Sequence, residues 1–417
     1  MSESTSPTPT SVTSCPFHST HTIPTDGTPL EPSPTLAAWR DESAATPLHY
    51  PDGHDGWIVT RHELARMVLE DPRFSQQPQR MPGEADLSSS FGPGVDDRAL
   101  AAIEVGNLLG LDSPQHARIR RTILGRFSVR AARGYQSDVA AIVARQLERL
   151  RTKGSPANLT EHFAQPISAA VHCRVLGIPP THAEQFTSLF VGKSTSQQKV
   201  DFLRDVLAAK RADPGDDVLS ELLQSDLTTP EVEGLTLVLL GSGRDSVAYM
   251  IATSTVALLS HPDQLDALRD DPSLISGAIE EFMRFGAMFV TLFPRTATED
   301  IDFGDVHIAT GQSVSVSPVA ANRDKRRFEH PETFDISRDA FGHLGFGHGF
   351  HGCVGQQVAR LEIREAITQL LAGLPGLVLV EAEQAEPLPF AHPVATYEAG
   401  AVVVGWHNGP TAEQPVE

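Results

Sequence analysis

The sequence predicts a mostly α-helical protein: one large domain with a small β-rich region. Three observations carry this. Helical patterning dominates from His116 to Leu374. Short strand-like runs cluster before it and in the C-terminal third. Neither an internal repeat nor a Gly/Ser linker separates units, so one core is expected, over residues 34–407, with flexible tails at 1–33 and 408–417.

Taken in order, the first 33 residues are rich in Ser, Thr and Pro (STSPTPTSVTS, PTDGTPLEPSP), too polar to offset chain entropy by burial. The stretch PLHYPDGHDGWIVTRHELARMVLEDPRFS reads as strand, Gly turn, strand and helix. The segment from Gln76 to Val105 is rich in Gly, Pro and Ser and reads as a mobile loop of the kind that gates a site. Leu235 to Leu259 is the longest apolar stretch. With Pro230 in its first turn, Thr228 and Glu231 at capping-box spacing and His261-Pro262 closing it, it predicts one helix of about 45 Å at 1.5 Å per residue. Its length would permit a membrane span, but Arg244 and Asp245 beside Ser242 and Ser246 are costly in lipid, so a buried central helix with a functional polar cluster is favoured. DVHIAT, QSVSVSPVA, LVLVEA and AVVVGW supply the C-terminal strands.

Composition narrows the function. The chain has 417 residues, 40% hydrophobic and 21% charged, with net charge −20, which repels phosphate backbones and anionic lipid and points to a small-molecule ligand rather than nucleic acid or membrane. The first Lys or Arg is Arg40, so no basic signal or transit segment is expected, and three scattered cysteines argue against a disulfide framework. A cytoplasmic protein is expected.

The densest chemistry lies in FGHGFHGCVG, Phe346 to Gly355. Three readings compete. Zinc would need a second ligand cluster beyond His343, His348, His351 and Cys353. A structural turn around an inert buried thiol would not require so many glycines. Gly347, Gly349, Gly352 and Gly355 let backbone lie against a flat ligand. Cys353 also opens a helical pattern whose positive end stabilises a thiolate. A thiolate presented to a metal on a planar ligand fits best.

This stretch resembles the haem-binding signature of the cytochrome P450 family, Phe-Gly-x-Gly-x-His-x-Cys-x-Gly, at every fixed position. The likeness runs from about residue 35 to 405 and is to the soluble bacterial branch. It implies haem b as cofactor with Cys353 as thiolate ligand to the iron, a ligand that favours O–O cleavage. Phe346, Gly347 and Gly355 would frame the ligand loop, and His351 would reach a haem propionate. In LDSPQHARIRRTILGRFS, His116 and Arg120 share a helix face and resemble the family's propionate contacts; a solvated basic face is the alternative. Arg118 and Arg121 point away and would form a basic patch. Arg295, in FPRTATED, resembles the strand arginine that clamps a propionate through paired donors.

GAIEEFMRF resembles the family's Glu-x-x-Arg pair, with Glu281 and Arg284 on one face and Arg338 as third member, a structural lock. SGRDS stands where the family carries Ala-Gly-x-acid-Thr. Asp245 then takes the acid position and Ser246 the alcohol, a pair able to relay protons. Ser242 and Gly243 would border the substrate. Serine for threonine loses the β-methyl that restricts the rotamer and loosens the relay. By the same resemblance Met288, Phe289 and Val290, with Val394 and Ala395, line the pocket; ordinary core is the alternative for each. His392 is a further candidate contact, and the segment between LGIPP and LAAKRADPGDD is short for a lid.

The implied activity is that of a monooxygenase consuming dioxygen and oxidising a small organic molecule of specialised metabolism, with hydroxylation as the default. Oxidative coupling without oxygen insertion and a non-catalytic haem sensor are the rivals. Electrons would come from a ferredoxin-type donor with its reductase, docking where Arg118, Arg121, Arg360 and Arg364 offset the overall acidity.

Overall fold

The computed structural model describes residues 21–77, 94–191, 194–382 and 394–407. The expected tails at 1–20 and 408–417, most of the expected gating loop and His392 lie outside the described residues.

Helix α1 (Pro34–Glu42) starts where the Ser33 hydroxyl accepts from the Thr35 N–H. Strands β1 (Thr46–His49) and β2 (Asp55–Val59) form a hairpin, followed by α2 (His62–Glu70) and β3 (Phe74–Ser75), the order expected. Residues 21–33 depart from the expected tail: His21 pairs with Leu48, Ile23 is buried and the Leu30 carbonyl accepts from Arg323. A few apolar side chains suffice to dock a polar segment onto a preformed surface, which average composition conceals.

The helical body comprises α3 (Asp97–Gly106), α4 (Gln115–Leu124), α5 (Val129–Lys153), the short β4 (Ala157–Asn158) and α6 (Gln165–Leu176). Next come α7 (Ala183–Val191), α8 (Ser196–Ala212), α9 (Val218–Gln224), α10 (Thr229–Gly241), α11 (Arg244–Ser260), α12 (Pro262–Asp270) and α13 (Ile275–Phe285). Helix α3 occupies residues expected to be loop. Its Asp96 side chain caps Ala99 N–H, and Gly106 lies so close to Gly234 of α10 that a Cβ at either would collide with backbone.

The 45 Å helix is not continuous. It starts as expected, with the Glu231 carboxylate accepting from the Thr228 N–H and hydroxyl at 2.9 Å, but α10 ends at Gly241 and α11 restarts at Arg244. Ser242 is extended and Gly243 has φ +91°, a left-handed value that glycine adopts without strain. Apolar runs flank the polar residues 241–246 on both sides, and a polar cluster within a continuous helix would read the same way, so pattern alone does not reveal the break.

Strands β5 (Arg295–Ala297), β6 (Ile301–Phe303), β7 (Val306–Ile308) and β8 (Ser313–Val316) precede α14 (Pro318–Ala321), α15 (Gln356–Gly373), β9 (Val378–Ala382) and β10 (Val402–Gly405). The largest sheet has the order β1-β2-β8-β5-β3, with β8 parallel to β2 and Trp57 opposite Val314. The β region near the N-terminus therefore takes two of its five strands from the C-terminal third. A second sheet, β4-β10-β9, and the β6-β7 hairpin complete the set. The main core wraps α11, which packs against α6, α13 and α15.

Candidate active site

Beneath the site, Glu281 and Arg284 are fully buried, three residues apart on α13. Arg284 donates twice to the Glu281 carboxylate at 2.7 Å and then to the carbonyls of Asn322, Pro331 and Thr333. Arg338 lies 3.5 Å from the same carboxylate and donates to the Glu329, His330 and Thr333 carbonyls. Every donor of the buried Arg284 guanidinium is met, which makes this burial tolerable. The effect is to pin residues 322–338 to α13.

Against this platform packs the loop from Phe346 to Gly355, with Gly345 before it close to the Met283 carbonyl. Gly347 and Gly349 have φ +67° and +68°, and a Cβ on Gly349 would strike the Leu69 carbonyl at 2.3 Å, so the loop needs glycine there to close on α2. The Cys353 N–H returns to the Phe346 carbonyl at 2.8 Å, and the Gly355 and Gln356 N–H groups bond the thiol. Burial pushes this thiol up, opposed by those N–H groups and by Arg120 and Arg360. Cys353 nonetheless has an exposed surface. A group exposed at its surface yet desolvated by its surroundings faces an internal space rather than bulk water. The Phe346 ring lies under the Arg360 guanidinium at 4.5 Å.

The loop's other histidines have carboxylate partners: His343 bonds Glu280 at 3.1 Å and His348 pairs with Glu70. Among the described residues no group of three or more His, Cys, Asp or Glu is arranged to hold a metal ion, which leaves the zinc reading without a ligand set.

The sequence candidates His116, Arg120, Arg295 and His351 converge. The rings of His116 and His351 stand 4.0 Å apart, and Arg120 donates to the Gly352 carbonyl at 2.5 Å. Burial, then the neighbouring guanidiniums, push His116 down to about 4; burial, then Arg295, His116 and Arg120, push His351 down to about 3. Burial lowers Arg295 to about 10. The nearest carboxylate, Asp112, is occupied by Ser75 and by the Gln76 N–H. His116 Nε2 and Arg295 Nε are buried without a partner. Four cation-forming groups, two of them with a buried unpartnered nitrogen, and no free carboxylate beside them among the described residues fit a ligand carrying two carboxylates beside the thiol, which is what haem b presents.

A separate polar feature is the α10–α11 break. Asp245 pairs with Arg244, whose guanidinium also donates to the Phe190 carbonyl at the end of α7. Asp245 is 61% exposed at its side chain, yet desolvation raises its carboxyl above the usual range, so it too borders an internal space. Ser246 Oγ donates to the Gly243 carbonyl at 3.3 Å. The pocket candidates divide. Residues 288–291 run alongside 395–397, with Tyr397 N–H on Met288 O and Val290 N–H on Ala395 O. Val290 and Ala395 are buried core, whereas Met288, Phe289 and Val394 remain partly exposed.

The expected basic patch is reduced. Arg118 is neutralised by Glu231 and Arg360 by Glu280, leaving Arg121 and Arg364. Long cationic side chains find carboxylates on adjoining helices, which one helix's sequence does not disclose.

The sequence reading missed Ser168, His172 and Glu362. Ser168 Oγ donates to the Arg244 carbonyl at 2.6 Å. Glu362, on α15, bonds Ser168, is otherwise buried, and burial pushes it up to about 8; its Oε1 has no partner. The Ser168 hydroxyl lies between the Arg244 carbonyl and this carboxyl; its contact favours the charged form, and burial, the larger effect, outweighs it. Polar residues at i and i+4 in ISAAVHC were the available signal.

The chain is 36% identical over 388 residues to cytochrome P450 105C1 of Streptomyces sp, covering 90% of this chain and 95% of that one. It belongs to the cytochrome P450 family. The family model, Cytochrome P450, matches residues 181–374. The P450 monooxygenase PikC of Streptomyces venezuelae is 35% identical over 366 residues, 84% of this chain and 85% of that one. The crystal structure of CYP105P1 in complex with filipin I superposes with a TM-score of 0.81 at 30% identity, covering 93% of this chain and 99% of that one. As a bacterial-type P450 this protein is a haem b monooxygenase of specialised metabolism with hydroxylation as its default reaction. Among the described residues no helix is long and apolar enough to cross a membrane.

Proposed function

We propose that Cys353 ligates the haem iron, that His116, Arg120, Arg295 and His351 hold the propionates, and that Asp245 and Ser246 deliver protons to the distal side. The observation that carries this is the Cys353 thiol at the N-terminus of α15, facing an internal space flanked by four basic groups, of which His116 and Arg295 keep a buried nitrogen without a partner. Haem b, when bound, supplies the iron at which dioxygen is reductively activated.

The chain's residues do the rest. The Gly355 and Gln356 N–H groups and the positive end of α15 favour the thiolate over the thiol. Arg295 and Arg120 offer fixed donors to carboxylates, and two bound carboxylates would draw His116 and His351 back toward protonation. Desolvation makes Asp245 a better proton holder than a surface aspartate, and Arg244 keeps it aimed at the break. The Ser246 hydroxyl turns between the Gly243 carbonyl and the interior, accepting and donating in one group. Met288, Phe289 and Val394 present apolar surface to the substrate, which we take to be a small organic molecule. A ferredoxin-type donor with its reductase would dock on the thiolate side, where Arg121 and Arg364 remain.

The test is the absorption spectrum of the reduced protein under carbon monoxide, wild type beside Cys353→Ser. Wild type shows the red-shifted band of thiolate ligation and the variant loses it. An unshifted band in wild type, or a red-shifted one in the variant, overturns the ligand assignment.

A further inference from the structure

The α10–α11 break leaves the last carbonyls of α10 without their usual donors four residues on, Leu239 among them, because Ser242 leaves the helix before Gly243 N–H can reach back. Helix α6 crosses at this point. His172 is partly buried, with Nε2 enclosed and without a partner, and the Leu239 carbonyl is the backbone acceptor beside its ring, which assigns the donor role to Nδ1–H. The ring stacks on Phe186 at 5.5 Å and 13°, and its Cε1 and Nδ1 lie 3.5 Å from where a Cβ on Gly243 would stand. One turn earlier on the same face, Ser168 holds the Arg244 carbonyl at 2.6 Å. Two side chains of one helix thus grip backbone on either side of the break.

We propose that His172 and Ser168 are positioning residues that hold the α10–α11 break in register and so set where Asp245 and Ser246 point. The role of those two side chains rests on the relay reading above. A bond from α6 to Leu239 O removes the acceptor that Gly243 N–H needs to extend α10, and a bond to Arg244 O fixes the first residue of α11. Without them the helical path becomes available across the break. Rewinding it would rotate each residue of α11's first turn about the axis by about 100° per residue of helix gained. Neither residue reaches the reacting atoms; both act through the backbone between them.

His172→Phe keeps the ring stacked on Phe186 and removes the donor. His172→Asn restores an amide N–H near the Nδ1 position. Ser168→Ala is a smaller change that serves if the phenylalanine variant folds poorly. Amide hydrogen exchange of the haem-loaded proteins is read over residues 239–247. The solvent deuterium isotope effect on NADPH consumption, driven by a plant-type ferredoxin and its reductase, is read beside it. His172→Phe and Ser168→Ala change exchange in this segment and raise the isotope effect about twofold as proton delivery becomes limiting; His172→Asn restores both. Unchanged exchange at 239–247, or no rescue by asparagine, overturns the proposal. Asp245→Asn, measured alongside, separates the two readings. If it raises the isotope effect and His172→Phe does not, the positioning proposal fails and the relay stands. If neither raises it, the relay reading fails and the link to Asp245 and Ser246 falls with it.

Discussion

Replacing Glu362 by Gln should stabilise the protein increasingly as pH rises from 5 to 8. The carboxyl sits between α15 and α6, wholly buried, and keeps its proton up to about pH 8 where an unfolded chain releases it near 4.5. Between those values the unfolded state binds fewer protons than the native one, so stability falls with pH across that window and levels off above it. Each pH unit is worth about 1.36 kcal/mol, giving roughly 3 kcal/mol at pH 7 and about 5 kcal/mol at pH 8 and beyond. These are ceilings, since a water reaching Oε1 would lower them. Gln carries no such dependence, and its amide offers both a donor and an acceptor to the Ser168 hydroxyl. Urea midpoints of the haem-loaded proteins at pH 5, 6, 7 and 8 provide the assay. The variant should be close to wild type at pH 5 and exceed it by a growing margin above. Parallel profiles would refute the argument that Glu362 is held neutral.

Asp245→Asn should leave the carbon monoxide band intact and lower ferredoxin-driven turnover about 100-fold, the scale of a lost general acid. Arg295→Leu should shift the apo and haem-bound proteins in opposite directions. Removing a buried, desolvated guanidinium stabilises the apo chain, while the haem-to-protein ratio after gel filtration falls; thermal melts of both forms check this. Arg284→Lys should cost about 3–5 kcal/mol in unfolding free energy, because an ammonium cannot span both oxygens of Glu281 and three carbonyls. A loss under 1 kcal/mol in urea unfolding would show that the lock is dispensable.

The glycine-dependent turn of the loop from Phe346 to Gly355, the Glu281-Arg284 spacing and the strand–turn–strand–helix beginning at residue 46 were legible because each is encoded locally, by glycine, by helical spacing or by turn residues. What escaped the sequence was set by distant chain. The α10–α11 break depends on α6, which takes up the carbonyls that a continuous helix would need. Arg118 and Arg360 read as free because Glu231 and Glu280 lie on other helices. Residues 21–33 read as a tail because three or four anchoring contacts leave no mark on composition. Val290 and Ala395 shared the pocket expectation with Met288, Phe289 and Val394, and burial alone separates the two sets.

The parallel pairing of β2 with β8 sets Trp57 opposite Val314, and that has a consequence for biosynthesis. On the ribosome the β1–β2 hairpin emerges early and must wait for a partner 257 positions downstream. At about 5–20 residues per second the delay is on the order of 10–50 s, during which one edge of β2 lacks its neighbour. An unpaired edge of this kind recruits other chains, so nascent protein should be most prone to aggregate before residue 316 is made. Slowing translation within residues 60–310 should lower the soluble yield, whereas slowing it after β8 should not.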